Sequence, residues 1–245
     1  MKPRTALITG SGKNIGRAIA LRLARNGFNV VVHGGSDRVA CEAVAEAVRA
    51  CGVDALVTVG DVGNRKEVYR IAEAALAEFG TIDVLIHNAA IRPHQDFFTI
   101  TDDEWDRVLE VNLGAAFQFS QLLLPGMLKQ QWGRIVTFAG VNAIRGYPNS
   151  VHVSVSKHGA WGFVKALSRD FADQGITANT ISPGAILTER DDQDMDDFIR
   201  KQAAAVPAKR LGTPEEIAGM VAHLLSDEGG YITGQLLQIN GGGAM

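Results

Sequence analysis

One lysine in the second half of the chain lies where the sequence changes its pattern. The segment SVHVSVSKHGAWGFVKAL, residues 150–167, first alternates valine with serine or histidine and then spaces apolar residues like one helix face. Lys157 stands at the change. We predict that the alternation belongs to a loop end and a first helical turn, where tertiary packing overrides β propensity. Lys157 is therefore a candidate for binding or chemistry at the start of that helix.

A glycine-rich turn follows the first predicted strand. Gly10, Gly12 and Gly16 come directly after the strand and open a helix in the segment ALITGSGKNIGRAIALRLARNG. Glycines in this context let the backbone approach a pyrophosphate, which the helix N-terminus then stabilises. Because a strand precedes the turn and a helix follows it, the sequence predicts dinucleotide binding.

Asn112 is a polar residue on the apolar side of a predicted helix that begins at Thr101. A buried amide needs partners for both its donor and its acceptor groups. Asn112 is therefore either a satisfied core residue or part of a site. The apolar positions on that side are Trp105, Val108, Leu109 and Ala116.

Basic side chains follow two of the predicted strands. Arg92, His94 and Arg145 come after the fourth and fifth strands, at the carboxyl ends where open α/β sheets bind ligands. Together with His152 they predict a cationic cavity that would suit a carboxylate or phosphate on a substrate. Scattered loop charges are the alternative interpretation.

The strands and helices that would position these candidate residues alternate along the chain. Short runs rich in β-branched residues are separated by stretches with helical spacing, which predicts a parallel sheet covered on both faces. Capping boxes at Thr101–Glu104 and Thr213–Glu216 mark two helix starts. The expected fold class is α/β, a doubly wound parallel sheet of about seven strands in a single domain over residues 1–245. The predicted strands are residues 5–9, 29–33, 55–59, 83–87, 134–138, 177–182 and 235–239.

Composition excludes several classes of function. Apolar residues make up 46% of the chain and the net charge is −3, so neither nucleic acid nor an anionic membrane is an expected partner. The chain has no apolar run of about 18 residues that could span a bilayer. Because residues 1–10 lead directly into a predicted strand and turn, we expect no secretory signal. Cys41 and Cys51 are expected as thiols in a reducing cytoplasm, without a metal.

The acidic segment 188–202 is either a solvated surface or a lid over a ligand.

A set of motifs spread over the chain resembles one known family. The motifs are Thr9-Gly10-x-x-x-Asn14-Ile15-Gly16, Asp61-Val62, Asn88-Ala89-Ala90, Asn112 in VNL, Pro183-Gly184 with Thr188, RLGTPEEIA and YITGQ…INGG. Together they resemble the short-chain dehydrogenase/reductase family, in particular its 3-oxoacyl-ACP-reductase-like members. The resemblance implies a Rossmann-type fold and an NAD(P)(H)-dependent oxidoreductase for a small carbonyl or alcohol. It also implies a homotetramer or dimer that packs through the helix with Lys157 and the helix after Asp102.

The resemblance further implies roles for individual residues. Asp61 would hold the adenine. The nicotinamide would lie near Asn88, Lys157 and Thr188. Asn112 would anchor a water near the lysine in a proton relay. The implied cofactor-binding residues are Thr9, Gly10, Gly12, Lys13, Asn14, Ile15, Gly16, Ser36, Arg38, Asp61, Val62, Asn88, Ala89, Lys157, Pro183, Gly184 and Thr188.

The end of the second strand bears on the choice of cofactor. An NAD-preferring relative would carry an acid there to hydrogen-bond the ribose hydroxyls. That position holds Gly34, and Asp37 falls at the start of the next helix. Lys13, Ser36 and Arg38 could instead donate to a 2′-phosphate. NADP(H) is therefore favoured, with NAD(H) as the alternative.

Two catalytic positions of the family hold unusual residues. In the family a tyrosine four residues before the lysine moves the substrate's proton, and a serine after the fifth strand polarises the substrate oxygen. Here these positions are Val153 and Gly140, while Lys157 remains. His152 and Tyr147 are candidate substitute proton donors. An oxidoreductase with an atypical site is the leading hypothesis. A cofactor-binding but inactive sensor or partner subunit, and non-redox chemistry in the same cleft, are the alternatives.

Overall fold

Seven parallel strands form the centre of the structure, a computed structural model that describes residues 2–141, 145–189 and 195–244. The strands are β1 (Thr5–Ile8), β2 (Asn29–Gly34), β3 (Ala55–Val59), β4 (Val84–His87), β5 (Gly133–Phe138), β6 (Ile176–Pro183) and β7 (Leu236–Ile239). They lie side by side in the order β3-β2-β1-β4-β5-β6-β7. The predicted α/β class and all seven predicted strands are confirmed.

The helices begin where the local sequence supplies a cap. The side chains of Asp37 and Asn64 accept a backbone N–H at the starts of two helices, and capping boxes at Thr101 and Thr213 start two others. Both predicted capping boxes are therefore confirmed. Within the described residues the helices are α1 (Asn14–Arg25), α2 (Arg38–Arg49), α3 (Arg65–Phe79), α4 (Asp102–Leu109), α5 (Ala115–Lys129), α6 (Val151–Phe171), α7 (Met195–Ala205) and α8 (Pro214–Leu225).

Alternate side chains of the central strands pack into two separate cores. Ile8 and Val32 belong to the core that α1, α2 and α8 cover. Leu7 and Val31 belong to the second core, which α3, α5 and α6 cover. Because successive side chains of a strand point to opposite faces, helices cover both faces of the sheet. This is the doubly wound arrangement of a Rossmann-type fold.

The segment around Lys157 is helical from its beginning. Helix α6 begins at Val151, so the alternating valines lie in its first turns, as expected from packing rather than propensity. Between α4 and α5 the chain forms one wide turn of π-helix over Glu110–Gly114. Such turns are rare and shift the register of the residues that follow.

Three further expectations concern the cysteines, the acidic segment and membrane spans. The thiols are free, Cys41 buried and Cys51 exposed. In the acidic segment 188–202, residues 190–194 lie outside the described residues, and the described part includes most of α7. None of the described helices is long and apolar enough to cross a membrane.

The position of β1 determines where a ligand can bind. Strand β1 pairs with β2 on one side and with β4 on the other. The chain order therefore reverses beside β1, and loops leave the carboxyl ends of neighbouring strands in opposite directions. Open α/β sheets bind their ligands in the crevice that this reversal creates.

Candidate functional site

A cavity of about 1120 Å³ opens at the carboxyl ends of the strands. It runs from the glycine turn after β1, past the ends of β4 and β5, to the start of α6 and the segment after β6. Cavities for one drug-sized ligand hold about 300–1,000 Å³. The volume therefore suits a ligand of dinucleotide size or two smaller ligands.

The glycine turn has the geometry that close approach to a phosphate requires. Gly10 and Asn14 adopt left-handed backbone angles, with φ of 65° and 53°. A Cβ at Gly16 would overlap the carbonyl oxygen of Gly10, so no larger residue fits there. Helix α1 starts with no side-chain cap and no acidic residue in its first turn. Asn14, Ile15 and Gly16 at its N-terminus line the cavity beside Lys13, and this arrangement fits an anionic pyrophosphate.

Thr9 and Asn88 join the glycine turn to the end of β4. The amide of Asn88 donates to the carbonyl oxygens of Thr9 at 3.1 Å and Gly10 at 2.9 Å. In return, the Thr9 hydroxyl accepts the backbone N–H groups of Asn88 and Ala89. These four hydrogen bonds hold two predicted cofactor-binding segments in one geometry.

His33, which the sequence did not single out, connects three segments of the same cradle. Its Nδ1 accepts the Gly10 N–H at 3.2 Å, and its Nε2 lies 3.0 Å from the carbonyl oxygen of Gly60. These partners require the neutral tautomer with the proton on Nε2. Burial, with smaller effects from nearby groups, lowers the pKa of His33 to about 4. The ring therefore stays neutral at physiological pH and links the glycine turn, β2 and the end of β3.

Asp61 lines the cavity but its carboxylate is already engaged. It forms an ion pair with Arg107 at 2.8 Å and accepts the Gly63 N–H at 2.9 Å. Burial opposes ionisation of Asp61, but the Arg107 guanidinium and the Gly63 amide outweigh it and hold its pKa below the usual value. Arg107 comes from α4 and also lines the cavity. Val62, the next predicted contact, is buried beside it.

The three candidate 2′-phosphate donors occupy different places. Lys13 lines the cavity, and so does Gly35 at the end of β2. Ser36 is exposed and is not among the residues that line the cavity. Arg38 also lies outside the lining and forms an ion pair with Glu42 one turn along α2. Lys13 is therefore the member of this group that the structure brings to the cavity.

Lys157 is a buried amine at the other end of the cavity. Its side chain is only 5% exposed, and it lines the cavity beside Val153 and Ser154. Its ammonium has no hydrogen-bond partner among the residues that the structure describes. Burial first, and then the charge of Arg92, lower its pKa from 10.5 to about 7. Lys157 can therefore exchange a proton near neutral pH.

Asn112 lies inside the π-helical turn and has partners for its whole amide. Its Oδ1 accepts the Ile91 N–H at 2.9 Å, and its Nδ2 donates to Ile91 O and to the Ser156 hydroxyl, both at 3.0 Å. Asn112 thus fixes α6, next to Lys157, against the loop after β4. The neighbouring His87 ring lies 3.1 Å from the carbonyl oxygen of Val111.

Two loops meet at the far side of the cavity and carry its cationic rim. The Gln95 N–H donates to the carbonyl oxygen of Asn149 at 2.7 Å. The ring of His94 packs edge-on against Tyr147 at 4.9 Å. His94 and Arg92 line the cavity together with Tyr147, Ser150 and Arg145. The Arg145 guanidinium also donates to the carbonyl oxygen of Gly243.

The two candidate proton donors differ in access to the cavity. Tyr147 is exposed at the rim and lines the cavity. His152 is 0% exposed and is not among the lining residues, although it precedes Val153 on α6. Neither ring nitrogen of His152 has a partner in the described part of the chain. At the serine position, a Cβ on Gly140 would meet no atom within 4 Å.

The charges around the cavity are mostly positive. Among the described lining residues the single carboxylate is Asp61, which Arg107 neutralises. The other charged lining side chains are Lys13, Arg92, Arg145 and Lys157. Such a cavity attracts anionic ligands. The remaining predicted contacts, Pro183, Gly184 and Thr188, also line it.

The fold and the cavity together define a Rossmann-type α/β protein whose site lies at the carboxyl edge of a parallel sheet. The chain belongs to the short-chain dehydrogenase/reductase family of oxidoreductases. A family model described as enoyl-(acyl carrier protein) reductase matches residues 10–243.

Curated relatives match nearly the whole chain. The 3-oxoacyl-[acyl-carrier-protein] reductase FabG of Staphylococcus aureus (strain Mu50) is 36% identical over 239 residues, covering 98% of this chain and 97% of that protein. An acetoacetyl-CoA reductase of Cupriavidus necator is 38% identical over 242 residues, covering 99% and 98%. The FabG of Escherichia coli (strain K12) is 37% identical over 239 residues, covering 98% and 96%.

Proposed function

We propose that the protein is an NADP(H)-dependent oxidoreductase for a small carbonyl or alcohol substrate that carries an anionic group. The observation that carries the proposal is the cavity, which joins an uncapped helix N-terminus and glycine turn to the buried amine of Lys157. Bound NADPH would supply a hydride to a carbonyl carbon. The chain's own residues would bind both partners and provide a proton for the substrate oxygen.

NADP(H) is the better match for the described residues of the cofactor end. No carboxylate stands at Gly34, so a 2′-phosphate would meet no repulsion from that position. Lys13 lines the cavity at the glycine turn and can donate to the phosphate. The one lining carboxylate, Asp61, is neutralised by Arg107.

Lys157 is the group that we assign as proton donor. It lies one helical turn after Val153, on the same face of α6, and its amine lines the cavity without a described acceptor. A group whose pKa lies near the working pH is an efficient general acid. Tyr147 is the second candidate, because it also lines the cavity, but it lies on an exposed loop.

The rim supports an anionic substrate. Arg92 and His94 lie on the loop after β4, and Arg145 lies in the segment between β5 and α6. The curated relatives are named for reduction of 3-oxoacyl and acetoacetyl thioesters. Carbonyl compounds with a carboxylate, a phosphate or a CoA group are therefore the substrates to test, and Arg92→Gln should raise KM for such a substrate more than it lowers kcat.

The proton assignment is tested by the pH dependence of NADPH consumption. If Lys157 donates, the rate of carbonyl reduction should fall about tenfold per pH unit above pH 7, because the deprotonated amine has no proton to give. Lys157→Arg keeps the positive charge but should lose most of the activity, since a guanidinium does not release its proton. Tyr147→Phe is the matched control and should retain the wild-type profile. Loss of activity in Tyr147→Phe, with a flat wild-type profile, would instead identify the tyrosine.

A second function, cofactor binding without hydride transfer, is favoured by one observation. The tyrosine and serine positions of the family hold Val153 and Gly140, neither of which can donate a proton from its side chain. The double variant Gly140→Ser, Val153→Tyr separates the two functions. If the wild type binds NADPH but reduces no carbonyl compound, and the double variant reduces one, the protein is a binding protein on an otherwise competent scaffold.

A further inference from the structure

Cys41 occupies the space beside the end of β2. Its sulfur lies 2.6 Å from where a Cβ on Gly34 would stand, and 3.2 Å from the position of a Cβ on Gly12. Cys41 belongs to α2, is 1% exposed and packs in the core that α1 and α8 also cover. Contacts as short as 2.6 Å do not occur between a real Cβ and sulfur, so residue 34 has no room for a side chain while Cys41 keeps its position.

Rotation of the thiol does not easily make that room. A helical residue has two favourable χ1 rotamers, because the third drives the side chain into the preceding turn. Cys41 is buried, so a different rotamer would place its sulfur among other closely packed atoms of the core. Removing the sulfur is the direct way to open the space beside Gly34.

Gly35, the residue after Gly34, has room for a side chain. A Cβ on Gly35 would meet no atom within 4 Å, and Gly35 lines the cavity. The chain thus tolerates a side chain at residue 35 but excludes one at residue 34. Residue 34 is the position from which an acid would reach the ribose hydroxyls of NAD.

We propose that the contact between Cys41 and Gly34 determines cofactor preference. The thiol keeps residue 34 without a side chain, and the site therefore stays open to a 2′-phosphate near Lys13. The inference rests on the NADP(H) function proposed above and deepens it by naming the residue pair that fixes the choice. It follows that an aspartate at residue 34 selects NADH only when residue 41 is also made smaller.

Dissociation constants of NADPH and NADH test this pair without any substrate or turnover. They are measured by titrating the purified protein and following nicotinamide fluorescence, alongside the melting temperature of each variant. Gly34→Asp alone should melt lower than the wild type and should not gain NADH affinity. Gly34→Asp combined with Cys41→Ala should recover most of the melting temperature and shift the NADPH-to-NADH affinity ratio toward NADH at least about tenfold, the effect of one hydrogen bond to a charged group.

Two matched controls separate packing from charge. Gly34→Asp with Cys41→Ser retains an atom in place of the sulfur, and should behave like Gly34→Asp alone. Gly35→Asp adds the same charge where space is open, and should weaken NADPH without creating the tight NADH binding of the double variant.

The outcomes distinguish this proposal from the function on which it rests. If Gly34→Asp alone is as stable as the wild type and already prefers NADH, the thiol has no role and the proposal is overturned. The same holds if the double variant with Cys41→Ala matches Gly34→Asp in both stability and affinity ratio. If the wild type binds neither dinucleotide, the proposed function fails and this inference fails with it.

Discussion

Replacing Lys157 by methionine should stabilise the protein without its ligands at neutral pH. Methionine has a similar length and removes the charge that burial disfavours. Lys157 is 5% exposed and lies near the positive charge of Arg92. We therefore expect the wild-type lysine to lower the free energy of unfolding, as buried functional charges do when no acceptor balances them.

The magnitude follows from the pKa of the lysine in the folded and unfolded chain. The pKa is lowered from 10.5 to about 7 on folding. At about 1.36 kcal/mol per unit, this difference corresponds to up to about 5 kcal/mol of stability lost while the lysine is charged. For a chain of this size, 1 kcal/mol shifts the melting temperature by about 2–4 °C. Lys157→Met should therefore melt up to about 10–20 °C higher than the wild type at pH 6.

The pH dependence gives the sharper form of this prediction. Between pH 7 and 10.5 the unfolded lysine is protonated and the folded lysine is not, so the unfolded state binds more protons. Wild-type stability then rises with pH across that window. The advantage of Lys157→Met should be constant below pH 7 and should shrink steadily toward pH 10.5.

Denaturant unfolding of both proteins at matched pH values measures this difference, and other titrating groups cancel in the comparison. Lys165→Met is the control, because Lys165 is exposed on the same helix and packs against the ring of Trp161. Its effect should stay within about 1 kcal/mol at every pH. A Lys157→Met variant that is no more stable than the wild type at pH 6, or whose advantage does not change with pH, would show that burial of the Lys157 charge does not destabilise the fold.

Three further predictions follow from the described contacts. Burial is the main cause that lowers the pKa of His87 to about 3. Between pH 6.5 and 3 the unfolded state therefore binds more protons than the folded state. The free energy of unfolding of the wild type should fall as the pH is lowered through that range. His87→Asn should flatten this fall in thermal melts, and an unchanged slope would contradict the assignment. Gly16→Ala should weaken NADPH binding in a fluorescence titration, because its Cβ would overlap the Gly10 carbonyl oxygen; wild-type affinity would speak against the tight turn. Gly162 lies within α6, and a Cβ there would meet no atom within 4 Å, so Gly162→Ala should instead stabilise the protein by about 0.5–1 kcal/mol. Denaturant unfolding measures this gain, and a lower stability than the wild type would contradict it.

The strands and the glycine turn could be predicted from sequence because their signals are local. β-branched runs such as NVVVH and RIVTF are short and continuous and have glycines close to both ends, and each became a strand. The left-handed angle at Asn14 agrees with the tolerance of asparagine for that conformation. Thr101 and Thr213 mark helix starts through partners only three residues away.

The parts of the site that sequence reasoning missed depend on distant contacts. His33 binds Gly10 and Gly60, which are far from it in sequence, so only the folded sheet brings them together. A histidine ending a run of valines was the one signal that could have identified it. Lys157 lines the cavity, whereas His152 is buried away from it. This difference depends on where α6 begins and on what packs against the helix, and no local sequence pattern determines either of these.

Transfer of deuterium is the most direct test of the central claim that this cavity supports hydride transfer with NADPH. NADPH that carries deuterium in place of both hydrogens on C4 of the nicotinamide ring is incubated with the protein and with anionic carbonyl compounds, acetoacetyl-CoA among them. If the cavity transfers hydride, deuterium should appear on the carbinol carbon of an alcohol product of the wild type and should be lost in Lys157→Arg. NADPH binding without deuterium in any product would contradict hydride transfer in this cavity and would leave the protein a cofactor-binding member of its family.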